Sequence, residues 1–241
     1  MFDHVTIRAL DRAASEGFYD TVLRPIGIEK GHSGELFAEW GDFSLARADG
    51  EKPVTRNLHL GFVAPSRAHV DEFSRVGIEA GYRDDGASGL RPQYRDDYYG
   101  AFLLDPDGNS AEAVHHGALH HRATIDHLWI RVADVAASKR FYEAVAAHAG
   151  FRLGHDSEER AQFVGPAGSF SLVAGEPTRE LHLAFPAETN DAVDEYHRAL
   201  TAAGYRDEGA PGERAVYHPG YYGAFVLDPD GNNVELVNHN R

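Results

Sequence analysis

The stretch YYGAFVLDPDGNNVELV at residues 221–237 decides the fold, because YYGAFLLDPDGNSAE at residues 98–112 repeats it almost letter for letter, 123 positions earlier. In each copy an aromatic and aliphatic run leads into Asp-Pro-Asp-Gly-Asn, whose Pro and Gly favour a tight turn, and a short apolar run follows. Each copy therefore predicts a β-hairpin. Glu112 and Glu235 lie in the return strands between apolar neighbours. A carboxylate in such a strand is costly to bury unless a partner compensates its charge.

The repeat extends far beyond the hairpin. DHVTIR at residues 3–8 returns as DHLWIR, and NLHLGF at residues 57–62 returns as ELHLAF, again 123 positions later. A repeat of this length predicts two similar domains, residues 1–117 and residues 124–241.

Each predicted domain alternates strand and helix periodicity. The pattern reads strand-helix-strand-strand-strand, four times in the whole chain, with predicted helices over about 11–24, 66–80, 134–149 and 189–203. Asp11 and Asp134 have the residue type and position of helix N-caps. The predicted fold class is therefore α+β, with helices on one face of a curved sheet and the other face free for a ligand.

Composition narrows the function classes. The chain has 241 residues, no cysteine and a formal charge of −15, so disulfides, thiolate metal sites and cysteine nucleophiles are excluded. The acidic balance argues against nucleic acid or an anionic membrane as a partner. No apolar run of about 18 residues occurs, and the first residues lack the pattern of a signal peptide. We therefore expect a cytoplasmic protein.

Six polar residues fall on strand faces opposite the apolar ones. They form two matched triads with intervals of 55 and 53 residues: His4, His59 and Glu112 in the first repeat, and His127, His182 and Glu235 in the second. Two imidazoles and one carboxylate suit a divalent ion such as Fe(II), Mn(II), Zn or Ni, with coordination positions left open for substrate. Such an ion would also compensate the buried glutamates.

With these histidines and the closing Asp-Pro-Asp-Gly-Asn-x-x-Glu motif, nearly the whole chain resembles the vicinal oxygen chelate superfamily. That superfamily includes glyoxalase I, fosfomycin-resistance enzymes, bleomycin-resistance proteins and extradiol dioxygenases. The resemblance implies four βαβββ modules, paired into two cup-shaped mixed sheets with helices on the outer face. It also implies a small-molecule substrate that chelates the metal through neighbouring oxygens.

The resemblance leaves the grouping of the ligands open. In some members each site lies within one domain. In others a site combines modules of two chains, and here that arrangement would join His4 to His182 and Glu235, and His127 to His59 and Glu112. The expected assembly is a monomeric pseudo-dimer or a homodimer.

Departures from the family pattern argue against two of the family's activities. Ser44 and Ser171 occupy the place where glyoxalase I-like sites have a fourth ligand, which argues against glyoxalase I activity itself. His218 fits the histidine slot of the extradiol signature, but Phe225 fills its tyrosine slot, which argues against ring cleavage of the usual kind. His218 remains a candidate acid or base.

The remaining site predictions concern aromatic and cationic residues near the triads. The predicted catalytic residues beside His218 are Tyr217 and Tyr222, and the predicted substrate contacts are Arg8, Tyr94, Tyr99, Trp129, Arg131 and Tyr221. We expect a metal-dependent dioxygenase, lyase or isomerase acting on a small oxygen-rich molecule. The alternative is a non-catalytic protein of the bleomycin-resistance type that binds or sequesters a small molecule.

Overall fold

The structure, a computed structural model, describes residues 1–119 and 123–241. The first repeat contains β1 (His4–Ala9), β2 (His32–Ser33), β3 (Phe37–Trp40), β4 (Phe43–Arg47), β5 (Leu58–Val63), β6 (Arg83–Leu90), β7 (Tyr99–Leu104) and β8 (Ser110–His115). The second contains β9 (Ile125–Val132), β10 (Arg152–Asp156), β11 (Arg160–Val164), β12 (Ser169–Ala174), β13 (His182–Pro186), β14 (Asp207–Glu213), β15 (Tyr222–Leu227) and β16 (Asn233–Asn238). The α-helices are α1 (Arg12–Leu23), α2 (Arg67–Glu79), α3 (Val135–Ala149) and α4 (Asn190–Ala202).

The four helices confirm the predicted pattern, and both expected caps form. The Asp11 side chain accepts a hydrogen bond from the Ala14 N–H, and the Asp134 side chain accepts one from the Ala137 N–H. No helix in the described part of the chain is long and apolar enough to cross a membrane.

Two segments differ from the sequence prediction. The sequence pattern predicts a strand over about residues 26–31, but the structure has a short 3-10 turn, Arg24–Ile26, followed by Gly27 at a φ of 81°. Pro25 starts that turn and the left-handed glycine ends it, so the extended backbone resumes only at β2. The pattern also predicts a strand only around residues 82–84, whereas β6 extends to Leu90, because the glycines of this strand give no alternating hydrophobic pattern.

The strands form two mixed eight-stranded sheets. Sheet 1 has the order β14-β15-β16-β13-β1-β4-β3-β2, and sheet 2 has the order β10-β11-β12-β9-β5-β8-β7-β6. The central pairs, β1 with β13 and β5 with β9, are antiparallel and join strands of different repeats. Each sheet therefore takes one module from each half of the chain, and the predicted α+β fold of four βαβββ modules is confirmed.

One aromatic core links the two sheets on their helix-covered side. The rings of Phe43 in sheet 1 and Phe62 in sheet 2 lie 5.3 Å apart, and Tyr19 of α1 packs 4.6 Å from Phe43. All three residues are fully buried. Burying an aromatic side chain of this size contributes about 1.5–3 kcal/mol, so contacts of this kind fix the two sheets against each other.

The repeated Asp-Pro-Asp-Gly-Asn turn holds the two modules of a repeat together. Asp105 accepts hydrogen bonds from the backbone N–H groups of Asp107 and Asn109 and from the hydroxyl of Tyr19, at 2.8–3.0 Å. Asn109 in turn accepts from the Leu58 N–H at 3.2 Å, next to His59. In the second half of the chain, the Tyr142 hydroxyl donates the same hydrogen bond to Asp228. The motif therefore attaches a helix of one sheet to a hairpin of the other.

Candidate metal centres

Site 1 lies in sheet 1 and consists of His4 on β1, His182 on β13 and Glu235 on β16. The Nε2 atoms of His4 and His182 are 3.0 Å apart, and Glu235 Oε2 is 3.1 Å from His182 Nε2 and 3.7 Å from His4 Nε2. Because β1 pairs with β13 and β13 pairs with β16, backbone register brings these three side chains together.

Site 2 is its counterpart in sheet 2 and consists of His59 on β5, Glu112 on β8 and His127 on β9. The three separations are 3.1 Å between the imidazole Nε2 atoms, 3.0 Å from His59 Nε2 to Glu112 Oε2, and 3.3 Å from His127 Nε2 to the same oxygen. Of the two groupings open at the sequence level, the structure has the one in which each triad takes ligands from both repeats.

These distances fit a single cation in each triad. Ligand atoms about 2.0–2.2 Å from a metal are about 3.0 Å apart in octahedral and about 3.4 Å apart in tetrahedral geometry. In each triad one carboxylate oxygen and two ring nitrogens converge from one side, and the glutamates are only 1% exposed whereas the histidines face the open side of the sheet. The residues present therefore suit a facial set with open positions.

An aspartate orients one histidine of each site. Asp3 Oδ1 is 2.9 Å from His4 Nδ1, and Asp126 Oδ2 is 2.9 Å from His127 Nδ1. A carboxylate that accepts the Nδ1 proton leaves the Nε2 lone pair free for a metal and raises its basicity. Asp3 and Asp126 directly precede the ligands in the sequence, and this adjacency was the signal that could have identified them.

A tyrosine holds each glutamate. The hydroxyl of Tyr221 donates to Glu235 Oε1 at 2.7 Å, and the hydroxyl of Tyr98 donates to Glu112 Oε1 at 2.8 Å. The second oxygen of each glutamate is thereby directed at the histidines. The Tyr221 hydroxyl is therefore used by the glutamate, and contact of the Tyr221 ring with substrate stays a prediction.

The pKa values reflect competition for protons inside the triads. In site 1, burial raises the pKa of Glu235 to about 7 and lowers the pKa of His182 to about 4. In site 2, burial alone would lower the pKa of His127, but Asp126 and Glu112 outweigh it and raise that pKa to about 10. Each cluster of lone pairs thus needs a positive charge at its centre, either a proton or a cation.

Two predicted tyrosines lie on the wrong face for substrate. The hydroxyl of Tyr99 donates to Asp71 of α2 at 2.7 Å, and that of Tyr222 donates to Asp194 of α4 at 2.8 Å. Adjacent residues of a strand point to opposite faces, so Tyr98 and Tyr221 face the triads while their neighbours face the helices. The predictions of a substrate contact for Tyr99 and a catalytic role for Tyr222 are therefore wrong.

His218 reaches site 1 only through other residues. Its Nε2 is 2.8 Å from His239 Nδ1, and His239 Nε2 is 2.8 Å from Asp3 Oδ2, whose other oxygen contacts His4. Site 2 keeps only part of this arrangement: His116, the counterpart of His239, lies 3.7 Å from Asp126, but the counterpart of His218 is Arg95, which pairs with Asp97. The His239 link was not predicted.

Site 2 opens into a cavity of about 1030 Å³. The cavity wall includes three predicted substrate contacts, Tyr94, Trp129 and Arg131, and one residue that the sequence analysis missed, Arg160. The Tyr94 ring is 6.2 Å from the Trp129 ring.

The predicted residues near site 1 have different surroundings. Tyr217 is half exposed, with its ring 4.8 Å from that of Tyr221, and Arg8 donates to the Arg47 carbonyl at 3.1 Å.

The position of the fourth glyoxalase I ligand holds no acidic group in either sheet. Ser44 lies beside Thr6 on β1, and their hydroxyl oxygens are 2.6 Å apart. Ser171 lies beside Trp129 in the same register of sheet 2. Neither serine belongs to the groups of side chains that can hold a metal ion in the described residues.

Comparison with known proteins agrees with this architecture. Residues 124–236 match the family model described as the Glyoxalase/Bleomycin resistance protein/Dioxygenase superfamily. The second repeat therefore matches this superfamily, and the first repeat shares its sequence pattern. No curated protein sequence matches the chain.

Two solved structures of maize glyoxalase I share this fold. Glyoxalase I from Zea mays superposes with a TM-score of 0.70 at 18% identity, over 99% of this chain and 92% of the maize chain. A variant of that enzyme gives a TM-score of 0.73 at 16% identity, over 99% and 93% of the two chains. A glyoxalase/bleomycin resistance protein from Albidiferax ferrireducens is 29% identical over 47% of this chain and 96% of its own, with a TM-score of 0.41.

Proposed function

We propose that this protein is a divalent-metal-dependent enzyme acting on a small molecule that chelates the metal through two neighbouring oxygens. The observation that supports this most directly is the convergence of two imidazoles and one carboxylate, twice, at separations one ion can bridge. The bound ion would act as a Lewis acid or, if it is Fe(II), as an activator of O2.

The protein groups have distinct tasks in this proposal. The six residues of sites 1 and 2 hold the ion from the sheet side and leave its other positions open for substrate. Tyr98 and Tyr221 fix the glutamates, and Asp3 and Asp126 fix the histidine tautomers. With serines in place of an acidic fourth ligand, glyoxalase I chemistry is disfavoured, and dioxygenase, lyase and isomerase chemistry remain.

Proton transfer is proposed for site 1. His218 and His239 form a hydrogen-bonded pair that leads from the rim of the sheet to Asp3. Tyr217 lies at the same rim. A histidine at the edge of a metal centre is suited to act as an acid or base. The counterpart Arg95 cannot do this, so the two sites differ in proton chemistry.

Both triads are complete within a single chain, which supports the monomeric pseudo-dimer. The proposed partner is a small-molecule substrate.

The test is turnover by protein loaded separately with Fe(II), Mn(II), Zn or Ni. Mixtures of catechols, α-hydroxy ketones, epoxides and hydroxy acids are incubated with each form, and substrate loss is followed by mass spectrometry. The Glu112→Ala/Glu235→Ala double variant is the control, because it lacks one ligand in each site, and its circular dichroism spectrum must match that of the wild-type protein. Metal-dependent loss that the double variant does not produce supports the enzyme.

The alternative is a binding protein of the bleomycin-resistance kind, and the volume and aromatic wall of the site 2 cavity favour it. If this alternative is correct, calorimetry should detect saturable binding of a compound that none of the four metal-loaded forms of the protein consumes. That result would replace the enzyme proposal.

A further inference from the structure

We propose that site 2 takes a chelating ligand whose far end carries an oxyanion, a carboxylate or a phosphoryl group, and that Arg131 and Arg160 bind this end. Site 1 does not share the preference. The inference rests on the metal centre proposed above and adds the substrate class of one of its two sites.

Backbone register places the arginines in one row of the cup. Trp129 pairs with Ser171, and Ser171 pairs with Gln162; one row further from the metal ligands, Arg131 pairs with Val173 and Val173 with Arg160. Arg131 is four residues beyond His127 on β9, about 13 Å along the strand at 3.3 Å per residue. Both arginines line the cavity that reaches the triad.

The two guanidinium groups have spare hydrogen-bonding capacity. Within residues 1–119 and 123–241, neither Arg131 nor Arg160 has a carboxylate at ion-pair distance, whereas Arg95 of the same cavity pairs with Asp97. Arg160 Nε is buried without a hydrogen-bond partner, and its guanidinium lies 5.1 Å from the Trp129 ring centroid. A stacked guanidinium with unfilled donors in a cavity wall is suited to an oxyanion.

The charge of the residues that line the cavity also favours an anionic ligand. The lining residues include four arginines and three carboxylates: Arg83, Arg95, Arg131, Arg160, Asp85, Glu112 and Asp126. A divalent ion in the triad would make the cavity clearly cationic. A positive cavity on a protein whose formal charge is −15 attracts an anion locally, because the low-dielectric walls focus the field.

Site 1 has different residues in the same register. The counterparts of Arg160, Trp129 and Gln162 are Phe37, Thr6 and Glu39. Arg8 keeps the place of Arg131, with its guanidinium donating to the Arg47 carbonyl, but a phenyl ring and a carboxylate replace the Arg160 guanidinium and the Gln162 amide. Since a carboxylate repels an anionic ligand, the two sites of one chain are built for ligands of different charge.

The experiment uses hydroxamates, which chelate through two neighbouring oxygens. The probes are the monohydroxamates of succinate, adipate and suberate, each as the free acid and as its methyl ester. Binding to Zn-loaded Glu235→Ala protein, in which site 2 alone is complete, is measured by calorimetry. Trp129 fluorescence locates the ligand, because the other tryptophan, Trp40, is fully buried.

We expect at least one free acid to bind about tenfold more tightly than its ester, a factor that corresponds to about 1.4 kcal/mol. Arg160→Gln should remove this difference and leave the ester affinity unchanged. Arg152→Gln, an exposed arginine on β10 outside the cavity wall, should have no effect. In Glu112→Ala protein, where site 1 alone is complete, the acid should gain nothing over the ester.

Three results would overturn the inference. Equal binding of acid and ester in site 2 contradicts the oxyanion subsite while leaving the metal centre intact. An equal preference for the acid in site 1 contradicts the division between sites. If neither acid nor ester binds, the metal centre itself is wrong, and the inference falls with it.

Discussion

Replacing Asp126 by asparagine tests the metal centre through a residue that is not a ligand. Asp126 accepts the Nδ1 proton of His127 at 2.9 Å with its side chain only 14% exposed. Asparagine keeps the shape but removes the charge that makes the imidazole basic. Loss of such a carboxylate costs about 10–100-fold in metal affinity, or about 1.4–2.7 kcal/mol.

The assay isolates one site. Asp126→Asn is combined with Glu235→Ala, so that site 2 is the one intact triad, and zinc affinity is measured by competition with a chromophoric chelator. Asp85→Asn is the matched control: Asp85 lies in the same cavity and carries the same charge, but it accepts from Ser110 and contacts no ligand. Asp85→Asn should change the zinc affinity less than about threefold, because solvent and salt partly screen the interaction between the Asp85 charge and the metal site.

Equal losses for Asp126→Asn and Asp85→Asn would show that only the total charge matters, and would refute orientation by the carboxylate. Unchanged affinity in Asp126→Asn, with the melting temperature of the metal-free protein preserved, would refute a metal site at His127.

Three further predictions concern stability and ligand placement. Burial raises the pKa of Asp42 from 3.8 to about 6, so its ionised form is unfavourable above pH 6 and the penalty disappears below pH 4. Asp42→Asn should therefore stabilise the metal-free protein by about 2–3 kcal/mol at pH 7.5 and not at pH 4, as measured by urea unfolding; equal gains at both pH values would contradict this. Gly223→Ala would put a Cβ in steric conflict with Glu235 Oε1, so site 1 should lose at least about tenfold in zinc affinity, and retained affinity would contradict the packing. Tyr19→Phe removes a donor to buried Asp105 and should cost about 1–3 kcal/mol in the same unfolding assay, with a cost near zero showing that the turn does not depend on it.

The controls for the last two substitutions lie close by. Gly17→Ala on α1 adds a Cβ that meets nothing within 4 Å, so zinc affinity should be unchanged. Tyr82→Phe keeps a ring that packs edge-on against Phe18, 4.8 Å away, and should be nearly neutral.

The sequence predicts most of the fold because the repeat makes its signals redundant. The hairpins, the caps at Asp11 and Asp134 and the four helices each follow from local residue types. The turn at Arg24–Ile26 and the long strand β6 were mispredicted because Pro25, Gly27 and the glycines of β6 act through backbone conformation rather than hydrophobic pattern.

The six candidate ligands were also accessible from sequence, since duplication marks each one twice. The sequence did not show which three ligands form each site. Strand partners such as β1 and β13 are far apart in the chain, and local sequence patterns do not indicate which strands pair. Tyr99 and Tyr222 were predicted to lie near the triads, but a shift of one residue along a strand reverses the side chain, and both face the helices. Arg160 was missed because an arginine in a short strand has no distinguishing local signal.

The measurement that tests the account most directly is the number of metal ions per chain in a His4→Ala/Glu235→Ala double variant, by elemental analysis after loading with zinc. The wild-type chain should hold two ions. Because His4 and Glu235 belong to one site that spans both repeats, the double variant should still hold one, in His59, Glu112 and His127. A double variant that holds no ion would mean that each triad forms within its own repeat, and one that holds two would mean that these residues do not bind metal.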